Sequence, residues 1–337
     1  MSAPDQPVNS QHRRQPPTLA FVVPCYNEQE ALPTLIERLS SLSADLVKLQ
    51  LIDSPATLIL VDDGSTDNTW NVIEKSAQHH PIQGIKLSRN HGHQAALLAG
   101  LMRAKTDVII SLDADLQDDV GVISDMVTAY LTGAEIVFGV RDNREADSHF
   151  KRLTARAYYR LLLAMGVQII PDHADFRLMS RKALESLREY SEVNLFLRGL
   201  VVNLGYETAT VTYTRQERVA GESKYPLGKM ISLALDGVTS FSTKPLRVIT
   251  YLGFAMASLS FAYIVYAVIG RIMGVTVLGW TSLVVSIFML GGVQLIALGI
   301  IGEYLGKIYL ETKRRPQFII DQEIAVETIT KTAKQTS

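Results

Sequence analysis

Two long stretches without a charged residue lie near the end of this 337-residue chain. The first, VITYLGFAMASLSFAYIVYAVIG, covers residues 248–270, and the second covers residues 272–302. About 20 apolar residues in a helix cross the hydrocarbon core of a bilayer, so each stretch is long enough to be a membrane span. The alternative is a helical hairpin buried in a soluble core, and two stretches of this length argue against it.

Basic residues flank the pair of stretches on the outside. Lys244 and Arg247 precede the first, and only Arg271 stands between the two. The residues after the second are Lys307, Lys313, Arg314 and Arg315. Basic flanks stay in the cytoplasm, so we predict a transmembrane hairpin over 244–306, a cytoplasmic tail over 307–337, and both chain termini in the cytoplasm.

The segment YPLGKMISLALDGVTSFS precedes the hairpin, and its apolar residues recur at helical spacing. We expect an amphipathic helix over 225–243 that lies in the membrane interface. An ordinary surface helix packed on the soluble domain is the alternative.

The beginning of the chain, residues 1–17, is polar and lacks the apolar core of a signal peptide. We expect it to be a disordered tail. Cys25 is the single cysteine, which excludes an internal disulfide and fits a reducing compartment. The net charge of −1 argues against a nucleic acid partner.

Between these regions, over 18–224, short apolar runs alternate with helical patterns. LAFVVPCYNE, ATLILVDDGS, IQGIKLSRN, DVIISLDAD and AEIVFGVR predict strands, and amphipathic stretches lie between most of them. Strands that alternate with helices are typical of a mostly parallel, Rossmann-like α/β sheet.

Polar clusters follow three of these strands: Tyr26-Asn27-Glu28, Asp62-Asp63-Gly64-Ser65 and Asp113-Ala114-Asp115. Ligands of such sheets bind beyond the carboxyl ends of the strands. The clusters therefore predict one edge of the sheet as the functional site.

Asp113 and Asp115 repel each other unless a cation lies between them. Oxygen ligands suit Mg²⁺ or Mn²⁺, which bind one or two carboxylates plus substrate phosphates. The pair predicts a metal that holds a diphosphate, with the carbonyl oxygen of Gln117 as a third ligand. An exposed turn rich in aspartate is the alternative, and the neighbouring acidic clusters argue against it.

Four segments, FVVPCYNEQEAL, LILVDDGSTDNT, RNHGHQAALLAG and LDADLQDD, occur in this order and resemble the nucleotide-sugar domain of glycosyltransferase family 2, which has the GT-A fold. DHADFRLMSRKAL, RVAGESKYPLGKM and the two spans resemble its polyprenyl-phosphate glycosyltransferases. This subgroup includes dolichol-phosphate mannose synthase and the bactoprenol glucosyltransferases. The resemblance extends from about Leu19 to Pro316.

The resemblance implies roles for individual residues. Asp113, Asp115 and Gln117 would hold the metal, and Asp175 would orient the sugar or the acceptor. Asp63 also begins an Asp-Gly turn pair, and both roles can hold together. The nucleotide sugar would contact Pro24, Tyr26, Glu28, Val61, Asp63, Asp113 and Ala114.

The same resemblance implies a lipid phosphate as acceptor, bound by cations near the membrane. The family pattern has an arginine and, four residues later, a serine, and this chain has Lys151 and Ala155 at these positions. The candidates are Arg141, Lys151, Arg152, Arg177, Arg218, Ser223 and Lys224.

The implied reaction is an inverting transfer of glucose from UDP-glucose to undecaprenyl phosphate, at the cytoplasmic face of a bacterial inner membrane. It would serve O-antigen or cell-envelope glycan modification. GDP-mannose and a UDP-aminoarabinose-type sugar are alternative donors. The resemblance also implies a homotetramer, a separate flippase and a downstream glycosyltransferase.

Other classes fit the sequence less well. A processive polysaccharide synthase needs a Gln-x-x-Arg-Trp motif, and neither Trp70 nor Trp280 follows an arginine. An aspartyl phosphotransferase would have Thr or Val at the position of Gln117. A dinucleotide oxidoreductase lacks its Gly-x-Gly-x-x-Gly. A membrane scaffold regulated by a nucleotide sugar remains an open alternative.

Overall fold

The computed structural model describes residues 14–141, 173–190, 192, 197–214, 239, 242–273 and 279–326. The chain forms two compact units. One unit contains an eight-stranded sheet with its helices, and the other contains two long helices.

The sheet has the strand order β7-β5-β6-β4-β1-β2-β3-β8. Its strands are β1 (Leu19–Cys25), β2 (Thr57–Asp62), β3 (Ile82–Leu87), β4 (Val108–Ser111), β5 (Ile136–Arg141), β6 (His173–Ser180), β7 (Thr208–Tyr213) and β8 (Ile320–Ile324).

Strands β1 to β4 are parallel to one another, and β5 is parallel to β7. Strand β6 is antiparallel to β4 and β5, and β8 is antiparallel to β3. The predicted α/β architecture is confirmed, with β1 to β5 at the predicted positions. The sequence analysis did not predict β6, β7 or β8 as strands.

Helices of the first unit lie between or beside these strands: α1 (Leu32–Lys48), α2 (Thr69–Ser76), α3 (His93–Arg103), α4 (Ile123–Leu131), α5 (Arg181–Arg188) and α6 (Leu197–Asn203). Helix α1 begins with Pro33 in its first turn, where a proline costs no hydrogen bond. It buries Leu32, Leu35, Ile36 and Leu39, which recur at helical spacing.

The core lies on the central strands. All seven residues of β1 and all four residues of β4 are buried. Strands covered on both faces are apolar throughout rather than alternating, which is why LAFVVPC and VIIS carry almost no polar side chain. Gly100 of α3 permits close packing here, because a Cβ atom at this position would lie 2.4 Å from Cγ1 of Val22.

The first unit extends beyond the predicted boundaries of residues 18 and 224. The backbone N–H of Arg14 donates to the carbonyl of Leu131, and its guanidinium pairs with Glu135 at 2.7 Å. After the long helices, the chain returns to the sheet as β8. The ordered domain therefore includes residues on both sides of the segment 18–224.

The second unit contains α7 (Lys244–Ile272) and α8 (Trp280–Lys313). Within them, Lys244–Tyr263 and Met289–Lys313 are long and apolar enough to cross a membrane. Large apolar side chains are exposed along both helices, Leu259 by 74%. An apolar surface of this extent indicates a membrane or protein environment. Helix α8 continues past residue 306, the predicted end of the hairpin.

The start of α7 is tied to the last turns of α8. The hydroxyl of Tyr304 donates to the carbonyl of Ser242, and Lys307 donates to the hydroxyl of Thr239. The two outer ends of the hairpin therefore lie together. Most of the predicted interfacial helix over 225–243 falls outside the described residues.

Candidate active site

The three polar clusters lie side by side. Strands β4, β1 and β2 are parallel neighbours, so their carboxyl ends share one edge of the sheet. Tyr26, Asp63 and Asp113 each follow one of these ends. The sequence analysis predicted this arrangement, and the strand order confirms it.

Strand β6 brings Asp175 to the same edge. In the antiparallel pairing with β4, Ser111 lies opposite Arg177, and continuing the register by two residues places Asp175 across from Asp113. The hydroxyl of Ser111 also donates to the backbone carbonyl of Asp175 at 2.5 Å. A residue 62 positions away in the sequence thus becomes a neighbour of Asp113.

The carboxylate of Asp175 accepts hydrogen bonds from five nitrogen atoms. Its Oδ1 accepts from Arg177 Nη2 at 3.3 Å and Arg198 Nε at 3.4 Å. Its Oδ2 accepts from Arg198 Nη2 at 3.1 Å, His93 Nε2 at 3.2 Å and Gln94 Nε2 at 3.4 Å. The side chain is only 3% exposed. These donors hold Asp175 in one orientation and occupy both of its oxygens.

Burial alone would raise the pKa of Asp175. The hydrogen bond from His93 and the charges of Arg177 and Arg198 outweigh burial, so its pKa is held well below the usual range. Asp175 is therefore ionised and weakly basic. Arg177, predicted to bind the acceptor phosphate, is fully buried here as a counterion of Asp175.

His93 connects the two aspartates. Its Nε2 lies 3.2 Å from Asp175 Oδ2 and 3.5 Å from Asp113 Oδ1. An ionised carboxylate only accepts, so Nε2 must carry the proton. Burial lowers the pKa of His93, but its hydrogen bond to Asp175 and the charges of Asp113 and Asp175 raise it above the ordinary value.

The sequence analysis assigned no role to His93, Gln94 or Arg198. His93 and Gln94 stand in the segment RNHGHQAALLAG, which was used only for the resemblance. Arg198 stands in the segment NLFLRGL, which was likewise used only for the resemblance, to the bactoprenol glucosyltransferases. For His93 and Gln94, the available signal was polar side chains at the start of a helix that follows a strand.

Asp113 has fewer hydrogen-bond donors around its carboxylate than Asp175 has. Its Oδ1 is buried and has no hydrogen-bond partner among the described residues. Burial raises its pKa to about 6; His93 opposes this shift, whereas Asp118, Asp175 and Asp115 reinforce it. Asp113 therefore lies among other carboxylates, where a bound cation would stabilise its ionised form.

The residues that follow Asp113 form a tight turn. Leu116 has a left-handed conformation with φ of 58°. The backbone N–H of Gln117 donates to Asp115 Oδ1 at 3.2 Å, and the side chain of Gln117 is largely buried. This turn keeps Asp113 and Asp115 at the end of β4.

The residues fit a divalent cation. The set offers two carboxylates and an amide oxygen, and a cation would relieve the raised pKa of Asp113. In the described ranges, no three His, Cys, Asp or Glu side chains group closely enough to hold a metal by themselves. Such a site suits Mg²⁺ or Mn²⁺, which take further oxygens from phosphates.

The predicted nucleotide residues lie at the ends of β1 and β2. Pro24 and Val61 are register partners and both are buried, whereas Tyr26 is 45% exposed. The carboxylate of Asp63 accepts from the backbone N–H groups of His91 at 2.7 Å and Gly92 at 2.9 Å. Asp63 thus fixes the loop that leads to His93.

The loops after β1 and β2 are joined by hydrogen bonds. Asn27, with φ of 55°, donates from its backbone to Ser65 Oγ and accepts from the backbone of Thr66. The backbone N–H of Glu28 donates to Thr69 Oγ1 at 2.9 Å. Gly64 has φ of 66°, and a Cβ there would lie 2.4 Å from the backbone carbon of Arg89. These loops therefore have a fixed shape around the exposed Tyr26.

On the predicted acceptor side, Arg141 ends β5. Its Nε donates to Tyr213 Oη at 3.1 Å, and its Nη2 lies 3.7 Å from Asp118 Oδ1. The other candidate residues lie outside the described residues: Lys151, Arg152, Arg218, Ser223 and Lys224.

Comparisons with known proteins agree with both units. Residues 20–188 match the family model "Glycosyl transferase family 2", and residues 244–308 match "GtrB C-terminal hairpin". The chain is 47% identical to the uncharacterized glycosyltransferase YkoT of Bacillus subtilis, over 96% of this chain and 97% of that protein. It is 41% identical to the bactoprenol glucosyl transferase of Shigella phage SfV, over 90% of this chain and 98% of that protein.

Proposed function

Because this chain belongs to glycosyltransferase family 2, we propose that it transfers glucose from UDP-glucose to undecaprenyl phosphate at the cytoplasmic face of a bacterial inner membrane. A relative that matches nearly the whole chain is named for bactoprenol glucosyl transfer. The two apolar helices suit an enzyme whose acceptor is a lipid. The names of these relatives support glucose as the transferred sugar.

The state of Asp175 is the observation that most favours a phosphate acceptor. A hydroxyl acceptor needs a general base with an accessible, basic oxygen. Asp175 is the carboxylate across from Asp113, and five donors and a lowered pKa make it a poor base. A phosphate monoester is already ionised near neutral pH, since its second pKa is about 6.

The chemistry is a single displacement. A phosphate oxygen of the lipid attacks the anomeric carbon, the bond to the nucleoside diphosphate breaks, and the configuration inverts. Asp175 orients His93 and Arg198 beside the reacting centre, and Arg141 approaches the acceptor phosphate. Positioning of the two substrates is the main contribution of these residues.

Asp113, Asp115 and Gln117 are the residues that would hold a divalent cation. When bound, the metal supplies positive charge to the diphosphate leaving group. The raised pKa of Asp113, to about 6, supports this assignment because burial and neighbouring carboxylates disfavour its charged form, which a bound cation would favour.

Chain connectivity supports cytoplasmic ends on both sides of the hairpin. Strand β8 follows α8 in the chain and pairs with β3 in the same sheet that contains β1. An even number of membrane crossings must therefore separate these parts. The product forms in the cytoplasm in this proposal, so a separate flippase and a downstream glycosyltransferase have to follow.

A panel of labelled nucleotide sugars tests the proposal. Membranes that contain the protein are incubated with undecaprenyl phosphate and labelled UDP-glucose, GDP-mannose or UDP-aminoarabinose, and the label in the lipid extract is counted. We expect lipid-linked label from UDP-glucose. Label from another donor alone would correct the donor, and no lipid-linked label from any donor would contradict the polyprenyl-phosphate reaction.

A further inference from the structure

The arginine at the end of β5 is held by a tyrosine of the adjacent strand. Strands β5 and β7 are parallel, and Arg141 lies in register with Tyr213. The Arg141 side chain is 31% exposed, whereas Tyr213 is 3% exposed. The Nε–H of Arg141 donates to Tyr213 Oη at 3.1 Å. One end of the guanidinium is thus fixed, and the group remains partly accessible.

Tyr213 is itself held by Asp118, which lies in the turn after β4. Its hydroxyl donates to Asp118 Oδ1 at 2.5 Å. Asp118 is 6% exposed, and it follows Asp113 and Asp115 in the segment SLDADLQDD. Arg141 Nη2 lies 3.7 Å from the same carboxylate oxygen. Three groups therefore form a chain: guanidinium to hydroxyl to carboxylate.

We propose that Tyr213 and Asp118 are positioning residues that hold Arg141 for the acceptor phosphate and link it to the turn that carries Asp113 and Asp115. This inference rests on the proposed function, because it assigns to Arg141 the lipid phosphate as its ligand. The hydrogen bond from Arg141 to Tyr213 has a charged donor, which makes it one of the stronger kinds, and consecutive bonds reinforce each other. The guanidinium of Arg141, which would bind the acceptor phosphate, is therefore fixed to the turn that carries Asp113 and Asp115.

The hydroxyl and the ring of Tyr213 have separable tasks. The ring packs edge-on against Phe176, with centroids 5.3 Å apart, and belongs to the hydrophobic core. Removing the hydroxyl leaves this packing in place. Tyr213→Phe therefore tests positioning without creating a cavity.

The experiment measures binding and kinetics of the purified full-length protein in nanodiscs. The variants are Tyr213→Phe, Asp118→Asn, Arg141→Ala and the double variant Tyr213→Phe/Arg141→Ala. Tyr206→Phe is the matched control, because Tyr206 Oη also makes a short hydrogen bond, to Ser186 Oγ at 2.6 Å. Binding of undecaprenyl phosphate, the KM for each substrate and thermal unfolding are recorded for every variant.

We expect Tyr213→Phe to weaken undecaprenyl phosphate binding roughly five- to twentyfold, as loss of a hydrogen bond to a charged group predicts. Asp118→Asn should act in the same direction. The KM for UDP-glucose should change less than about twofold, because the donor-binding turn is left in place. In the Arg141→Ala background, Tyr213→Phe should have no further effect on lipid binding.

Equal lipid affinity of Tyr213→Phe and the wild type would overturn the inference while the proposed function stands. Additive losses in the double variant would also overturn it, because Tyr213 would then act independently of Arg141. A wild-type protein that does not bind undecaprenyl phosphate would overturn both. Lipid binding without transfer from UDP-glucose would contradict the proposed donor and leave the binding test of Tyr213 decisive.

Discussion

At the scale of single residues, charge balance decides the site. Asp175 of β6 lies across from Asp113, which follows the end of β4, yet their pKa values shift in opposite directions. Arg177, Arg198 and His93 lower the pKa of Asp175, whereas at Asp113 burial and the charges of Asp118, Asp175 and Asp115 outweigh His93. Asp175 is thus a fixed anion, and Asp113 is a carboxylate whose charged form a bound cation would stabilise.

Asp115→Ala should abolish transfer at saturating donor, with a loss on the order of 10²–10³ or more, because the charge that supports the leaving group is removed. Turnover of labelled UDP-glucose with Mg²⁺ is the measurement. Asp125→Asn is the control, since Asp125 is an exposed residue of α4. Near-normal turnover of Asp115→Ala would contradict the metal assignment.

Asp175→Asn should destabilise the protein by about 3–5 kcal/mol at pH 7, because Arg177 would be left buried without its counterion. Thermal unfolding measures the loss. Asp45→Asn is the control: Asp45 pairs with Lys48 on the surface, with side chains 58% and 75% exposed, and such pairs contribute about 0–1 kcal/mol.

We also expect the stability loss of Asp175→Asn to depend on pH. The folded pKa of Asp175 is lowered, so its stabilisation is complete above the unfolded value of about 3.9. It is lost as the pH falls from there through the folded pKa. The stability difference between wild type and Asp175→Asn should shrink below about pH 4, as measured by unfolding at several pH values. A difference that is constant down to pH 2 would show that the charge of Asp175 is not its cause.

At the scale of elements, the final strand is the unexpected one. Strand β8 covers the edge of β3, and Cδ1 of Ile324 lies 3.1 Å from where a Cβ of Gly84 would be. Glu323 accepts from Gln83 at 2.9 Å and lies 3.6 Å from Arg103. The segment after the two long apolar helices is therefore part of the sheet.

Ile324→Asp should weaken this edge by about 1–3 kcal/mol, because a charge would replace a packed side chain. Hydrogen exchange of the backbone amides of β3 should become faster, while β1 stays protected. Asp321→Asn, at an exposed position of β8, should leave exchange unchanged. Unaltered protection of β3 in Ile324→Asp would mean that β8 contributes little to the sheet.

At the scale of the whole molecule, connectivity constrains the membrane topology. The sheet contains strands from before and after the two apolar helices. The outer ends of these helices are also tied together, through Tyr304 and Lys307. Both observations favour two membrane crossings, with the outer ends of the two helices on the same side of the membrane.

Cysteine labelling tests this topology. Cys25 is the single cysteine and is buried, so added cysteines report without a large background. Thr276→Cys, between the spans, should react with an impermeant maleimide applied outside intact spheroplasts. Thr330→Cys, beyond β8 in the sequence, should react only after lysis. The opposite pattern would place the catalytic domain outside the cytoplasm.

The sequence by itself determined the parallel strands, the edge with the three polar clusters and the two apolar helices. These follow from local signals: continuous apolar runs, polar residues directly after them, and uncharged stretches of membrane length. It also led to Asp113 and Asp115, because both stand at the end of a strand that can be recognised locally.

Only the tertiary structure decided which distant residues meet. The register of β6 against β4 brings Asp175 to Asp113, the start of α3 brings His93 between them, and the pairing of β7 with β5 sets Tyr213 against Arg141. The pairing of β8 with β3 is likewise absent from any local pattern. Strand order and register depend on long-range packing of the whole sheet, which the spacing of neighbouring residues does not contain.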